Sequence, residues 1–253
     1  PVVPGFAHLD GPSNAVVAGQ FDDEWTNVLF VGRVIPNKRI ENVIRAFAAY
    51  KSRYNHRSRL LIVGSYGGFE RYLAMLQQLA ARLGPGDVHF TGHVSNEELT
   101  AYYDVADVFL CASEHEGFCV PLVEAFYKRI PVLALARTAV PATMDGAGVL
   151  YGEPDPAGVA ALVDAVVGDE SLQERILAGQ DAALERLRSR DFGGTLLRAI
   201  DRVIASPRRP DHRVAWDFWQ QFDTIDRLEA QRLFRPSLYK ALPTAARASG
   251  INA

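Results

Sequence analysis

The sequence predicts an α/β fold, a doubly wound parallel sheet of about six strands followed by a C-terminal helical extension. Three observations support this prediction. Short apolar runs recur between residues 27 and 151, and each has the length of a buried strand. Segments with helical periodicity separate several of these runs. Glycine directly follows the first two runs, where a strand would end and a loop would begin.

Six apolar runs are predicted as strands. They span residues 27–31, 59–63, 88–90, 105–110, 131–135 and 148–151. Helices are predicted over residues 36–50 and 69–83, where apolar residues recur at helical spacing. Ser95, with Glu98 three residues later, has the pattern of a capping box and begins a short helix. Pro121 suits the first turn of a further helix, because the N–H that proline lacks would be unpaired there.

Changes in composition divide the chain into three predicted regions. Residues 1–26 contain proline, glycine and an acidic cluster, and we interpret them as an entry segment or a linker. Residues 27–205 form the α/β domain. A Ser-Pro-Arg-Arg-Pro stretch opens the third region, residues 206–253, in which a helix is predicted over 212–234. The aromatic residues of that helix predict packing against the same polypeptide, with peripheral contact to a protein or a membrane surface as the alternative.

The composition is that of an ordinary soluble globular protein, with 48% hydrophobic and 23% charged residues. Lys and Arg total 27 and Asp and Glu total 30, so the net charge of −3 gives no general attraction to nucleic acid or anionic lipid. The two cysteines support neither a disulfide framework nor a zinc site. No apolar run approaches the roughly 20 residues of a membrane span. We therefore expect a cytoplasmic protein, with the inner face of the membrane as one setting and no nucleic-acid partner.

The stretch from residue 113 to residue 124 carries two glutamates between a predicted strand and a predicted helix. Gly117 lets the backbone come close to a ligand at the carboxyl end of a strand, where α/β proteins bind phosphate groups. Glu124 is expected in the first turn of the helix, where a carboxylate gains about 0.3–1 kcal/mol from the helix dipole. The alternative is a binding role, in which Glu124 accepts hydrogen bonds from two ribose hydroxyls and Glu116 lies beside a sugar.

Two cations are predicted at the same edge of the sheet. Arg33 follows Gly32 at the end of the first strand, and Lys38 begins the next helix. Taken alone, the two cations are better explained as solvated surface residues. Together with Glu116 and Glu124 on that edge, they predict a site for a diphosphate, which arginine binds bidentately and lysine as a point charge.

In this order, the motifs resemble the Glu-seven-residues-Glu signature of retaining glycosyltransferases of the GT-B fold, specifically family four. The resemblance covers residues 27–205 and rests on these pieces: Gly32-Arg33-x4-Lys38, Phe90-Thr91-Gly92-His93-Val94, Ser113-x2-Glu116-Gly117-Phe118 and Pro121-x2-Glu124-Ala125. It implies a Rossmann-like domain that is the C-terminal, donor-binding half of the enzyme. The family's other half, which binds the acceptor, is expected in polypeptide that precedes Pro1 or on another chain.

The resemblance implies a role for each charged site residue. Arg33 and Lys38, next to Gly32, would bind the donor diphosphate and stabilise the leaving group. Glu116 would orient the transferred sugar and complete the catalytic set with those two cations. Glu124 would hold the ribose.

The resemblance also implies how the rest of the donor pocket is lined. His93 and Val94 would border the base through their backbone, and residues 138–140 would close the far side. Sugar hydroxyls or phosphate would accept hydrogen bonds from the backbone N–H groups of Gly117, Phe118, Cys119 and Val120. The family often has glycine where this chain has Cys119, and we expect little consequence because only the N–H is needed.

The implied reaction transfers a hexose from a nucleoside diphosphate sugar to a glycan or lipid-linked acceptor. The configuration would be retained through a same-face displacement assisted by the leaving phosphate. Mannose on guanosine diphosphate is the first choice of donor, and uridine diphosphate sugars follow closely. The sequence has no convincing Asp-x-Asp site at a strand end, so we expect neither a metal nor another cofactor.

Other functions fit the sequence less well than the glycosyltransferase does. A sugar-nucleotide epimerase or a phosphorylase on the same architecture would need acid/base groups, or a pyridoxal lysine, that the sequence does not reveal. A non-catalytic nucleotide-binding or scaffolding module would use the aromatic residues of the C-terminal region as its working surface. A dinucleotide oxidoreductase is disfavoured, because the first strand leads into Gly-Arg-Val-Ile-Pro and not into Gly-x-Gly-x-x-Gly.

Overall fold

The structure is a computed structural model that describes residues 5–206 together with Arg232 and Lys240. The chain divides into two compact units, residues 1–192 and residues 193–253. The first unit contains the sheet and the helices packed on it. The second contains nearly all of the last described helix, α9 (Phe192–Ala205), which begins at the division. The predicted helix over 212–234 and the tail after it lie outside the described residues, apart from Arg232 and Lys240.

A six-stranded parallel sheet forms the centre of the first unit, as the sequence predicts. Its strands, in chain order, are β1 (Thr26–Val31), β2 (Ser58–Val63), β3 (Val88–Gly92), β4 (Val108–Cys111), β5 (Val132–Leu135) and β6 (Val149–Tyr151). They lie in the order β3-β2-β1-β4-β5-β6, and neighbouring strands are parallel. In the register of the central strands, Val28 of β1 pairs with Leu60 of β2 and with Val108 of β4.

Helices connect the strands and cover both faces of the sheet. They are α1 (Ala15–Phe21), α2 (Ile40–Arg53), α3 (Glu70–Leu83), α4 (Asn96–Asp104), α5 (Val120–Tyr127), α6 (Val140–Met144), α7 (Pro156–Gly168) and α8 (Glu170–Arg188). The capping box predicted for α4 is confirmed: the amide of Glu98 donates to Ser95 Oγ at 3.2 Å, and the amide of Ser95 donates to Glu98 Oε2 at 2.7 Å. Pro121 lies in the first turn of α5, also as predicted.

Each face of the sheet has its own hydrophobic core. Successive side chains of a strand point to opposite faces, so Leu29 joins one core while Val28 and Phe30 join the other. All three are almost completely buried. Burying a side chain of this size contributes about 1.5–3 kcal/mol relative to leaving it exposed. The continuous apolar runs in the sequence are therefore the consequence of a sheet covered on both sides.

Two elements begin at least three residues later than predicted. The fourth strand begins at Val108 and not at residue 105, because the amide of Val105 donates to Ala101 O at 3.1 Å and closes α4. The helix predicted from residue 36 is a 3-10 turn, Pro36–Lys38, followed by α2 from Ile40. Arg39 between them has a left-handed backbone (φ 47°), which interrupts the helix. Lys38 therefore lies in a loop and not at the start of α2.

The N-terminal segment, predicted to be an entry segment or a linker, is folded onto the domain. A 3-10 turn, Ala7–Leu9, precedes α1, and Asn14 caps α1 by accepting hydrogen bonds from two backbone amides. Four apolar side chains of the segment are buried in one of the two cores: Phe6, Leu9, Val17 and Phe21. The Phe6 ring also stacks on Tyr127, with 4.6 Å between ring centroids. A solvated linker would lack this burial, so the segment is part of the folded unit.

Candidate functional site

The candidate site lies at the point where the strand order of the sheet reverses. From β1 the chain proceeds to β2 and β3 on one side, and it then returns to β4, which lies on the other side of β1. The loops that leave the carboxyl ends of β1 and β4 therefore diverge from neighbouring strands. Such a switch point forms the crevice where open α/β sheets bind ligands. We refer to residues 32–39 as the β1 loop and to residues 112–119 as the β4 loop.

Charged side chains and backbone hydrogen bonds join the two loops. Lys38 Nζ lies 2.5 Å from Glu116 Oε1, and Arg39 Nη2 lies 2.7 Å from Glu114 Oε2. The amide of Glu114 also donates to the carbonyl of Asn37 at 3.0 Å. The structure thus brings together Lys38 and Glu116, two residues that the sequence predicted for one site.

The Lys38–Glu116 pair is well shielded from solvent, with the side chains 15% and 8% exposed. A shielded charge is costly without a partner, and each of these residues provides one for the other. An ammonium group has three N–H donors, and among the described residues only Glu116 accepts from Lys38. Lys38 thus retains donors for an anionic ligand in the crevice.

Arg33 projects from the β1 loop and is exposed. Its guanidinium carbon lies 5.9 Å from the centroid of the Phe69 ring. Within the described part of the chain, no carboxylate forms an ion pair with it, so its bidentate donors are available.

A close backbone approach at the ends of β1 and β2 sets the course of the β1 loop. A Cβ atom on Gly64 would lie only 2.0 Å from the carbonyl oxygen of Gly32, so residue 64 has to be glycine. The sequence reading used the glycine after β2 only as a strand terminator, because nothing local to that residue indicates which backbone it meets. Gly64 is therefore a site-shaping residue that the sequence analysis missed.

The loop after β5 and the helix that follows it, α6, support the β4 loop from the other side. The amide of Glu116 donates to Thr138 Oγ1 at 2.9 Å, and the hydroxyl of Thr143 donates to the carbonyl of Phe118 at 2.5 Å. Thr138 lies in the stretch 138–140 that the family resemblance places at the far side of the pocket. These two hydrogen bonds fix the backbone around Gly117, where an added Cβ would meet no atom within 4 Å. The space beside Gly117 is consequently open to a ligand.

Cys119 precedes α5 in a left-handed backbone conformation, with φ 63°. This conformation costs a residue with a side chain about 1–2 kcal/mol, whereas glycine adopts it freely. Glycine, which the family resemblance implies at this position, would avoid that cost. From the sequence, we expect only the N–H of this residue to matter. The side chain of Cys119 is, however, buried against other groups of the site.

The side chain of Cys119 meets that of Cys111, the last residue of β4. The two sulfur atoms and a carboxylate oxygen of Glu116 all lie within 4.8 Å of one another. Hydrogen bonding with Cys119 and then with Ser113 lowers the pKa of the Cys111 thiol to about 7. The same contact with Cys111, together with burial, raises the pKa of Cys119. The sequence reading, which found no joint role for the two cysteines, missed this contact.

Glu124 lies in the second turn of α5, because the helix begins at Val120. The prediction that it lies in the first turn is wrong, and the stabilisation expected from the helix dipole does not apply. Its carboxylate is almost fully buried and accepts two hydrogen bonds: from His8 Nε2 at 2.9 Å, and from the Tyr103 hydroxyl at 2.8 Å. Burial, and then the charge of Glu124, raise the pKa of Tyr103 well above its usual value, so its hydroxyl remains a donor. No motif in the sequence indicates that residue 8 reaches this position.

His93 and Val94 follow β3, the edge strand, at the same carboxyl edge of the sheet. His93 is exposed, and Val94 packs against the same core as Phe118. The structure places this pair two strands away from the loop that carries Arg33 and Lys38. A separate cavity of about 600 Å³, lined by residues of α2 and the end of α3, includes none of the predicted site residues.

An open parallel sheet with a charged crevice at its switch point defines a Rossmann-like ligand-binding α/β domain. The family model described as "Glycosyl transferases group 1" matches residues 17–179, and the chain belongs to this family. This match confirms the resemblance to GT-B glycosyltransferases.

Individual relatives agree with the family. The chain is 32% identical over 192 residues to a D-inositol 3-phosphate glycosyltransferase from Streptomyces scabiei, covering 73% of this chain and 42% of that protein. It is 27% identical over 146 residues to the O-antigen chain mannosyltransferase B of Escherichia coli, covering 58% and 38%. A protein from Anabaena solved in complex with UDP and glucose has the same fold, with a TM-score of 0.59, 19% identity and coverage of 78% and 54%. The chain thus spans about two fifths of the length of the two sequence relatives.

Within residues 5–206, Arg232 and Lys240, no helix combines the length and the apolar character needed to cross a bilayer.

Proposed function

We propose that this chain is the donor-binding half of a retaining hexosyltransferase and that it binds a nucleoside diphosphate sugar in the crevice between the β1 and β4 loops. The observation that carries the proposal is the Lys38–Glu116 pair. It joins a cation suited to phosphate and a carboxylate suited to sugar hydroxyls, 2.5 Å apart, at the switch point of the sheet.

The diphosphate is assigned to the cations of the β1 loop. Arg33 offers a planar set of N–H donors that matches phosphate oxygens, and Lys38 adds a point charge. Breaking the bond between sugar and phosphate leaves additional negative charge on the diphosphate. Fixed cations stabilise that charge most effectively in the transition state, so both residues contribute to catalysis as well as to binding.

The sugar and the ribose are assigned to the two glutamates. When phosphate oxygens share Lys38, Glu116 is available to accept hydrogen bonds from the transferred sugar. Glu124, held by His8 and Tyr103 in an almost fully buried position, retains lone pairs that can accept ribose hydroxyls. The backbone around His93 is assigned to the base.

The relatives support the choice of substrates. Two curated relatives are named for glycosyl transfer, one of them for mannose, and the Anabaena structure holds UDP and glucose. We therefore propose a hexose donor, with mannose on guanosine diphosphate and a uridine diphosphate sugar as the first two to test, and a glycan or lipid-linked acceptor. The acceptor domain is expected in polypeptide that precedes Pro1 or on another chain, which agrees with the fraction of its relatives that this chain spans. A cytoplasmic setting and independence from metal stay predictions.

A panel of nucleoside diphosphates and nucleotide sugars, screened by thermal shift with a chelator present, tests the binding half of the proposal. We expect the nucleoside diphosphate of one base to raise the unfolding temperature of this chain. A nucleotide sugar of the same base should raise it at least as much. No shift with any member of the panel would contradict the proposal.

Transfer itself is tested on a polypeptide that includes the acceptor domain, with the anomeric configuration of the product determined by NMR. We expect the configuration of the donor sugar to be retained. Binding without any transfer would favour a non-catalytic nucleotide-binding module, and an inverted product would contradict the retaining mechanism.

A further inference from the structure

We propose that Cys111, Cys119 and Glu116 form a binding site for a divalent cation that prefers thiolate ligands, such as Zn²⁺, and that the bound cation excludes the sugar donor. The second half of this statement rests on the function proposed above. The first half concerns only the three side chains.

The three potential ligand atoms already lie close together. The two sulfur atoms and a Glu116 oxygen are all within 4.8 Å of one another. A tetrahedral zinc ion with Zn–S distances of about 2.3 Å and Zn–O distances of about 2.0–2.2 Å needs its ligands roughly 3.3–3.8 Å apart. Small side-chain movements therefore suffice to bring the three atoms onto one ion.

The backbone around the cluster fixes two of the ligands. Cys111 ends β4, and Cys119 directly precedes α5, so both sulfur atoms are attached to regular elements. Glu116 lies in the loop between them, where its amide is held by Thr138. Ligands on supported backbone lose little freedom when a metal binds, which favours affinity.

The charges of the cluster suit a divalent cation. Two thiolates and one carboxylate carry a formal charge of −3, and a divalent cation reduces this sum to −1. Lys38, already 2.5 Å from Glu116, balances the remaining charge. The two sulfur atoms give selectivity, because thiolate ligands favour zinc and cadmium over magnesium and calcium.

Metal binding and donor binding use the same carboxylate. A cation bound to Glu116 withdraws that residue from the transferred sugar. It also holds Cys119, whose backbone precedes α5 and borders the space assigned to the donor. The two ligands are therefore expected to compete, with three protein ligands on the metal and a fourth position left for water.

A titration of the full chain with Cd²⁺, followed by ultraviolet absorption, tests the metal site. The chain has two cysteines, so a thiolate-to-metal charge-transfer band reports on this pair alone. With the thiols kept reduced by a phosphine, we expect the band to saturate at one Cd²⁺ per chain. Its absence from the wild-type protein would overturn the proposal, whatever happens to any variant.

Substitutions identify the ligands. Cys119→Ser is expected to remove most of the band, and Glu116→Gln to keep the band but weaken Cd²⁺ affinity at least about ten-fold. Glu97→Gln, at an exposed position in the first turn of α4, is the control and should leave the affinity unchanged. Equal affinity in the Glu116→Gln and Glu97→Gln variants would show a dithiol site without the carboxylate and would contradict the three-ligand proposal. Circular dichroism of each variant verifies that it is folded.

Calorimetry with a nucleotide sugar tests the exclusion of the donor, with free Zn²⁺ held constant by a metal buffer. We expect Zn²⁺ to lower the affinity for the nucleotide sugar at least about ten-fold and a chelator to restore it. Unchanged affinity for the nucleotide sugar at saturating Zn²⁺ would overturn the exclusion. If the metal-free protein bound no nucleotide, the proposed function would fail, and the Cd²⁺ titration would still decide the metal site.

Discussion

The Nε2 atom of His8 lies 2.9 Å from Oε1 of Glu124, so the folded N-terminal segment contacts a carboxylate 116 positions further along the chain. An ionised carboxylate only accepts hydrogen bonds, and therefore Nε2 carries the hydrogen in this contact. Tyr103 donates to the other oxygen at 2.8 Å. The two donors hold the glutamate to which we assign the ribose in one position before any ligand arrives.

Replacing His8 by alanine is expected to destabilise the domain. The substitution leaves one oxygen of a largely buried carboxylate without its donor, which costs about 1–3 kcal/mol. Urea unfolding measures the difference. Val16→Ala, at an exposed position of α1 in the same segment, is the control and should change the free energy of unfolding by less than about 0.5 kcal/mol. Equal effects of the two substitutions would show that the His8–Glu124 contact does not contribute to stability.

The role of Glu124 is tested with ligands that lack the ribose hydroxyls. We expect Glu124→Gln to weaken binding of a ribonucleoside diphosphate about ten-fold, which equals about 1.4 kcal/mol. The same substitution should have little effect on a 2′,3′-dideoxy analogue, which cannot donate to the carboxylate. Calorimetry measures the affinity of both ligands for the wild-type protein and for the Glu124→Gln variant. If wild-type protein binds the dideoxy analogue as tightly as the ribonucleotide, Glu124 does not hold the ribose.

Gly64→Ala is expected to destabilise the domain by about 1–3 kcal/mol or more and to weaken nucleotide binding. The new Cβ would lie 2.0 Å from the Gly32 carbonyl oxygen, and backbone cannot give way as a flexible side chain can. The backbone of Gly64 also has φ 147°, which strains any residue with a side chain. Gly19→Ala in α1 is the matched control: its Cβ meets open space, and alanine favours a helix by about 0.5–1 kcal/mol. Equal unfolding temperatures for Gly64→Ala and Gly19→Ala would contradict the close approach of Gly64 to the Gly32 carbonyl.

Acidification below pH 6.5 is expected to reduce stability through His89. Burial, and then the positive charge of Arg59, lower the pKa of His89 below its usual 6.5, while Asp87 acts in the opposite direction. The unfolded chain therefore takes up a proton at a higher pH than the folded chain does. The contribution of His89 to the free energy of unfolding is fully present above pH 6.5. It is lost as the pH falls towards the lowered pKa of His89 in the folded state.

The contribution of His89 is isolated by comparing variants. His89→Gln should lose less stability than wild type between about pH 7 and about pH 5, as measured by urea unfolding. His56→Gln, at an exposed position, should follow the wild-type profile. A His89→Gln profile parallel to wild type would show that His89 does not cause the loss.

The sequence predicts the centre of the sheet well because β1, β2, β4 and β5 are buried on both faces, and a mainly apolar run marks each of them in the sequence. It also predicts that the loops after β1 and β4 share one edge, since parallel strands bring their carboxyl ends together. Lys38 and Glu116 could therefore be assigned to one site without knowledge of their contact. The left-handed backbone of Arg39, which places Lys38 in a loop, has no comparable signal because apolar periodicity does not report a single dihedral angle.

Contacts between distant parts of the chain explain the remaining differences. The burial of Phe6 and Leu9, and the contact of His8 with Glu124, depend on how the N-terminal segment folds back onto α4 and α5. The Cys111–Cys119 contact depends on the path of the loop between them, and not on their spacing. Each is a tertiary contact, and local propensity carries no information about such contacts.

The central claim is that Lys38 and Arg33 bind a nucleoside diphosphate, and calorimetry of the wild-type chain and two alanine variants in metal-free buffer tests it most directly. Lys128→Ala is the control, because Lys128 follows the far end of α5 and pairs with Asp104 at 2.8 Å. We predict measurable binding to wild type, at least a ten-fold loss in Lys38→Ala and in Arg33→Ala, about 1.4 kcal/mol each, and no change in Lys128→Ala. Absence of binding to the wild-type chain, or the same affinity in all four proteins, would contradict the account.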